Sequence, residues 1–329
     1  PRDISDLTGI EDFSSLINLD CGSNQLTSLD VSSNTLLTNL YCKANQLVTL
    51  DISTNTSLTV LECENNQLTS LDVSSNTVLE YLWCDGNSLT SLDVSTNTAL
   101  VDLRCADNPL TSLNIDNNTN LTYLNFSRND LTSIDLTNNV LLTNLYCEKN
   151  QLNSLDVSNN SSLIVLECND NQLTTLDLSN NTELTYLKCY VNQLTALDVS
   201  ANTALTELYC YINALTSLDL SNNISLIHLV CHLNELTTLS VENNVELITL
   251  VAYQNQLTSI DVSNNPLLEN LNIWGNQFSS IDISLNPNLS WLDVNGMQLT
   301  SLDVSSNTAL TGLSCGTNQL TTLDVSNNT

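Results

Sequence analysis

The sequence predicts a β-rich solenoid, a leucine-rich chain of about 15 coils of 21 residues with parallel sheets on both sides and little or no helix, and three observations carry that prediction. The stretch LTSLDVSSNTLLTNLYCKANQ opens at Leu26 and returns every 21 residues, at Leu47, Leu68, Leu89 and onward to Leu320, with nothing inserted between copies. Fixed self-similarity at this period marks stacked coils, none of which buries its apolar side alone. In "LYC" and "LDV" apolar and polar residues alternate, which calls for a short half-buried strand in each half of the repeat. The connections are rich in Asn, Ser, Thr and Asp, which suit turns and disfavour helix interiors.

In chain order, residues 1–25 are expected to form a cap and the first half-coil, because DISDLTGIEDFSSL departs from the pattern as terminal caps do. Residues 26–329 then form one continuous solenoid that stops in mid-repeat. The start at Pro1 without a methionine and the uncapped final copy predict a processed or excised fragment, with a cap or further domain beyond Thr329 to cover the exposed sheet end.

Each copy holds two similar halves, LxxLDVSxNTx (Leu26–Leu36) and LxxLxCxxNQ (Leu37–Gln46). From Leu16 to Leu320 the chain resembles the leucine-rich repeat, with cysteine at the third apolar place of LxxLxLxxNxL. More narrowly it is similar to the nested 21-residue bacterial class sometimes called IRREKO. The resemblance implies that the x positions of the LxxLxCxxN half form a ligand-binding surface. It also implies a recognition or adhesion module that is extracellular or at the cell surface.

The asparagine of the LDV half stands in all fifteen copies, from Asn34 to Asn328; that of the LxC half fails once, at Met297. These amides are expected to bond turn backbone of their own and the next coil, where water cannot reach.

The eleven cysteines, from Cys21 to Cys315, share one place in the repeat, which in the other copies holds Phe126, Ala252, Ile273 or Val294. A place that accepts those residues is a core place, so the thiols are expected to be buried and free. An inter-coil disulfide would need Cβ atoms closer than the strand spacing of about 4.8 Å allows.

Thirty-six acidic residues against six basic ones argue against nucleic acid and anionic membrane as partners. No run is apolar enough to insert in a membrane. The LDV half carries aspartate in thirteen of fifteen copies, Asn114 and Ser240 excepted. Such a row suggests structural aspartates or, alternatively, bound calcium; no other cofactor or metal is expected.

All nine tyrosines, all three tryptophans, both histidines and five of the six basic residues fall on the variable places of the LxC half. Three columns in coils nine to thirteen are densest. One runs Tyr190, Tyr211, His232, Tyr253, Trp274; beside it lie Lys188, Tyr209, Val230 and Val191, Ile212, Leu233. With Tyr186, His228 and Trp291 these are the predicted binding residues. Amphipathic rings suit a surface that is wet when free and dry when bound. A protein partner follows as the leading expectation, with glycan stacking on Trp and Tyr, or self-association through the same patch, as alternatives. Mutual packing of the rings along the sheet is the competing structural explanation. No nucleophile, acid pair or close histidine pair stands out from the repeating background, so no enzyme is expected.

Overall fold

The computed structural model describes residues 3–328, in two compact units, one up to Leu163 and one from Ile164 onward. In the first, β1 (Asn18–Asp20), β2 (Asn39–Tyr41), β3 (Val60–Glu62), β4 (Tyr81–Trp83), β5 (Asp102–Arg104), β6 (Tyr123–Asn125) and β7 (Asn144–Tyr146) form a parallel sheet in chain order. In the second, β8 (Val165–Glu167), β9 (Tyr186–Lys188), β10 (Glu207–Tyr209), β11 (His228–Val230), β12 (Thr249–Val251), β13 (Asn270–Asn272), β14 (Trp291–Asp293) and β15 (Gly312–Ser314) do the same. Each unit is a parallel β-solenoid. Every residue of a strand sits opposite the residue 21 places on, as in Leu208 opposite Leu229, so equivalent places line up as columns.

Burial follows the repeat. In coil two Leu37, Leu40, Cys42 and Leu47 are fully buried, with Ile52 at 1% exposure and Leu50 at 7%. The other coils largely repeat this set, with Phe126 in the cysteine's place at 0%, except the last, where Cys315 is half-buried and Leu323 is 36% exposed. Cys42, Cys84 and Cys189 are among the free thiols of this column. Burial raises the pKa of Cys42, Cys84 and Cys189 well above the ordinary thiol range, which keeps them protonated and unreactive.

The LDV half is looser than the pattern predicts. It runs parallel from coil to coil, but pairs only at isolated bridges such as Asp30 with Asp51 and Asp93 with Asn114. The reason is local: Asp30 Oδ1 accepts the N–H of Ser32 at 2.9 Å, which takes that donor away from any ladder. The same bond recurs at Asp51, Asp72 and Asp93. The only helical turn among the described residues is a 3-10 turn, Ile10–Asp12.

The two asparagine ladders knit neighbouring coils, but toward the preceding coil rather than the next. Asn45 Nδ2 donates to Cys42 O and Cys21 O, both at 3.0 Å, and its Oδ1 accepts the Leu26 N–H at 2.9 Å. In the other ladder Asn55 Nδ2 donates to Val31 O and Asn34 O at 3.0 and 2.9 Å. The first coil has no preceding copy, and there Asn34 Nδ2 donates to Ile10 O and Phe13 O of the divergent N-terminal segment.

Met297 breaks the first ladder while remaining 5% exposed. By register its amide counterpart would donate to Ile273 O and Val294 O and accept the Phe278 N–H. Met297→Asn is therefore expected to raise stability by about 1 kcal/mol, net of the lost apolar volume, measured as a higher chemical denaturation midpoint.

Candidate functional site

Alternation along each strand turns the leucine and cysteine inward and the flanking residues outward, so Leu208 and Cys210 are fully buried while Tyr209 and Tyr211 reach the surface. The column from coil nine to coil thirteen forms one continuous ring stack. Centroids lie 4.2 Å apart from Tyr190 to Tyr211, 4.4 Å to His232, 4.1 Å to Tyr253 and 5.0 Å to Trp274, with planes within 17° of parallel. The strand spacing of about 4.8 Å imposes this separation. The ring faces are thus spent on one another, as mutual packing anticipates.

The stack also moves His232 off the surface. It is 9% exposed, against the expectation of an outward binding residue, because Tyr211 and Tyr253 cover both of its faces. Its Nδ1 is buried without a hydrogen bond, and burial lowers its pKa to about 4. The sign follows directly. The unfolded chain takes up a proton near the ordinary histidine pKa of about 6.5, the folded chain only near 4, so falling pH favours unfolding between those values. His232→Phe keeps a ring in the stack and removes this uptake. It is expected to abolish about 1–2 kcal/mol of stability loss between pH 7 and pH 5, read from denaturation midpoints at the two pH values.

Beside the stack, Lys188 Nζ lies 3.2 Å from Glu167 Oε1 and within 5.1 Å of the Tyr186 ring centroid. The Tyr209 hydroxyl donates to Glu207 Oε2 at 2.7 Å, and its ring meets Tyr186 at 5.8 Å. His228 and Val230 on β11 are half-buried in the same sheet face. Trp291 stands apart on β14, 45% exposed.

The third column holds a feature that the sequence reading did not draw out. Val191, Ile212 and Leu233 have φ of 51°, 52° and 54°, in the left-handed region. That conformation costs about 1–2 kcal/mol per L-residue, and branched side chains tolerate it poorly. The equivalent place has positive φ in every copy, and holds Gly86, Gly275 and Gly296, or Asn65, Asp107 and Asp170, but also Ala44, Arg128, Lys149 and Gln254, so the turn belongs to the repeat and the branched apolar side chains to these coils. Those glycines were the available signal. Ile212 and Leu233 nevertheless remain 41% and 38% exposed.

In the first unit another cluster lay outside the predicted site. The Arg104 guanidinium sits 4.0 Å from the Trp83 ring centroid and 4.4 Å from that of Tyr123, while Nε and Nη2 donate to the two oxygens of Asp102 at 3.0 and 2.8 Å. Tyr123 continues to Tyr146 at 5.1 Å. Lys43 likewise pairs with Glu62 at 2.6 Å, and Arg128 with Asp107 at 3.8 Å. Lys43, Arg104 and Arg128 are thus paired locally, leaving the acidic surplus of the chain uncompensated by them.

Among the described residues no three His, Cys, Asp or Glu side chains converge to hold a metal ion. The aspartate row stands at most one carboxylate per coil, and serine hydroxyl and backbone hydrogen bonds lower the pKa of Asp30, Asp72 and Asp198. No helix among the described residues is long and apolar enough to cross a membrane.

No family model and no curated protein matches the chain. Solved structures do. The functional domain of InlJ from Listeria monocytogenes, described as including a cysteine ladder, is 39% identical with a TM-score of 0.89, over 93% of this chain and 68% of that one. A leucine-rich repeat protein of Leptospira interrogans is 25% identical with a TM-score of 0.88, over 96% of this chain and 88% of that one. YopM, a leucine-rich effector protein from Yersinia pestis, is 26% identical with a TM-score of 0.75, over 92% and 84% respectively.

Proposed function

The chain belongs to the bacterial leucine-rich repeat proteins, and from that premise we propose that it is a non-enzymatic recognition or adhesion module, extracellular or at the cell surface, that binds a protein partner through coils nine to thirteen. The observation that carries this reading is the run Val191, Ile212, Leu233. Three consecutive coils place branched apolar side chains in a left-handed conformation that glycine or asparagine would occupy with less strain, and two of the three stay exposed. Neither folding nor solubility is served by that choice. The left-handed turn recurs in every coil, so what singles out this run is the choice of three consecutive apolar side chains there, two of them exposed. Tyr209 and Tyr211 flank the run as partly exposed amphipathic rings, the residue type that anchors protein interfaces.

Charge narrows the partner. With Lys188 paired to Glu167 and a formal net charge of -30, the surroundings of the apolar run favour a partner surface that sets aliphatic or aromatic anchors among Lys and Arg. Selection from a random dodecapeptide library on the intact chain tests this. Enriched peptides are expected to combine apolar and basic residues and to be lost by the double variant Ile212→Asp, Leu233→Asp. Equal capture by both proteins overturns the reading.

A further inference from the structure

We propose that the exposed face of β13, β14 and β15 is a carbohydrate subsite, with Trp291 as the platform on which a neutral sugar ring stacks. Of the three indoles, Trp274 lies against Tyr253 at 5.0 Å, and the Trp83 ring is covered by Arg104 at 4.0 Å. No aromatic ring or cation packs on Trp291 among the described residues, and it is 45% exposed.

Its seat is built by a glycine. Trp291 pairs with Gly312 on the next strand, where a Cβ would lie 2.1 Å from Cε3 and 2.4 Å from Cζ3 of the indole. The ring therefore occupies the space that any other residue at 312 would fill. It leans over the backbone of the neighbouring coil while 45% of the residue stays exposed. A broad, solvated indole presents a face to the C–H groups of a pyranose.

The residues around it are those that bind hydroxyl groups. The register places Asn270 beside Trp291, and Asn272 beside Asp293, which in turn neighbours Ser314. The Oδ1 atoms of Asn270 and Asn272 are buried beside the platform without a hydrogen bond, so two acceptors there lack a donor that a sugar hydroxyl could supply once it displaced what covers them. Asp293 Oδ1 accepts the Asn295 N–H at 3.1 Å, and Asn295 Nδ2 donates to Ser314 Oγ. No aliphatic side chain occupies these outward strand positions, unlike Val230 and Val251 on β11 and β12. One ring face among amides, a carboxylate and a hydroxyl suits a sugar better than an apolar protein anchor. The acidic charge selects neutral hexose or N-acetylhexosamine units over sulfated or sialylated ones.

The apolar run Val191, Ile212, Leu233 lies on earlier coils than Trp291 and is tested by different variants, so the two readings fail independently although both touch β13. The test titrates the chain with cellotetraose, maltotetraose and chitotetraose, following saturation-transfer NMR on the sugar and tryptophan emission. At least one is expected to bind, and Trp291→Ala to weaken that binding roughly tenfold or more. Gly312→Leu, which leaves the indole present but takes its seat, is expected to do the same, while Trp83→Phe leaves binding unchanged. Failure of all three sugars to bind at millimolar concentration overturns the proposal. So does undiminished binding by Trp291→Ala, or a preference for a heparin tetrasaccharide over all three.

Discussion

Asn202→Asp is expected to destabilise the chain by about 4 kcal/mol or more, and Asn202→Ala by about 1–3 kcal/mol, because each removes the donors of a fully buried amide. Asn202 Nδ2 donates to Leu178 O at 3.1 Å and to Asn181 O at 2.8 Å, both carbonyls of the preceding coil. Alanine removes one of the two bonds that each carbonyl accepts, at about 0.5–1.5 kcal/mol each, since Leu178 O also accepts the Asn181 N–H at 3.0 Å and Asn181 O the Leu184 N–H at 3.2 Å. Aspartate adds a buried carboxyl oxygen facing two other acceptors, and it must either ionise away from water or take up a proton. Asn202 also anchors the turn through its own backbone, which accepts the Leu205 N–H at 3.1 Å. Equilibrium urea denaturation measures the loss, and hydrogen exchange should place the new opening around Leu178 to Leu205. An aspartate variant within about 1 kcal/mol of the parent contradicts the view that the ladder holds neighbouring coils together.

Much of this architecture was legible because a repeat without insertions converts sequence position into spatial position. Once Leu208 and Leu229 are equivalent letters, a parallel sheet makes them neighbours, and the columns from Tyr190 to Trp274 follow from counting. The cysteine places were equally readable, since a site shared by Phe126 and Ala252 can only be interior. What counting does not give is the orientation of a side chain within its column. His232 appears as a surface residue in the sequence, and becomes buried only because tyrosines stand directly above and below it. Nor does an LDV alternation disclose that Asp30 will take the Ser32 N–H and so shorten the ladder on its side. The asparagine ladders were foreseen as structural, yet their direction toward the preceding coil depends on turn geometry that the letters do not encode. Backbone strain lay between these cases. Glycine at 86, 275 and 296 marks the left-handed place, and the same place then holds Val191 and Ile212.

That place supports the second large expectation, in which stability and recognition move in opposite directions. The double variant Val191→Asn, Ile212→Asn is expected to be more stable than the parent by about 1–2 kcal/mol, since asparagine adopts the left-handed region with little penalty. The native side chains forfeit little packing in exchange: Val191 is half-buried and Ile212 is 41% exposed. Surrounding hydrogen bonds hold the backbone in place whatever the side chain, with Val191 N–H donating to Tyr211 O and Ile212 N–H to His232 O, both at 3.0 Å. The strain is therefore relieved without a change of path. If the run is kept apolar for docking, the same variant should bind library-selected peptides at least roughly tenfold more weakly. Asn65→Val in the first unit, which introduces the strain at an equivalent place with φ of 55°, should lower stability by about 1–2 kcal/mol and leave peptide binding unchanged. A double variant that gains stability yet binds with unaltered affinity would separate the strain from recognition and remove the main support for a docking surface on these coils.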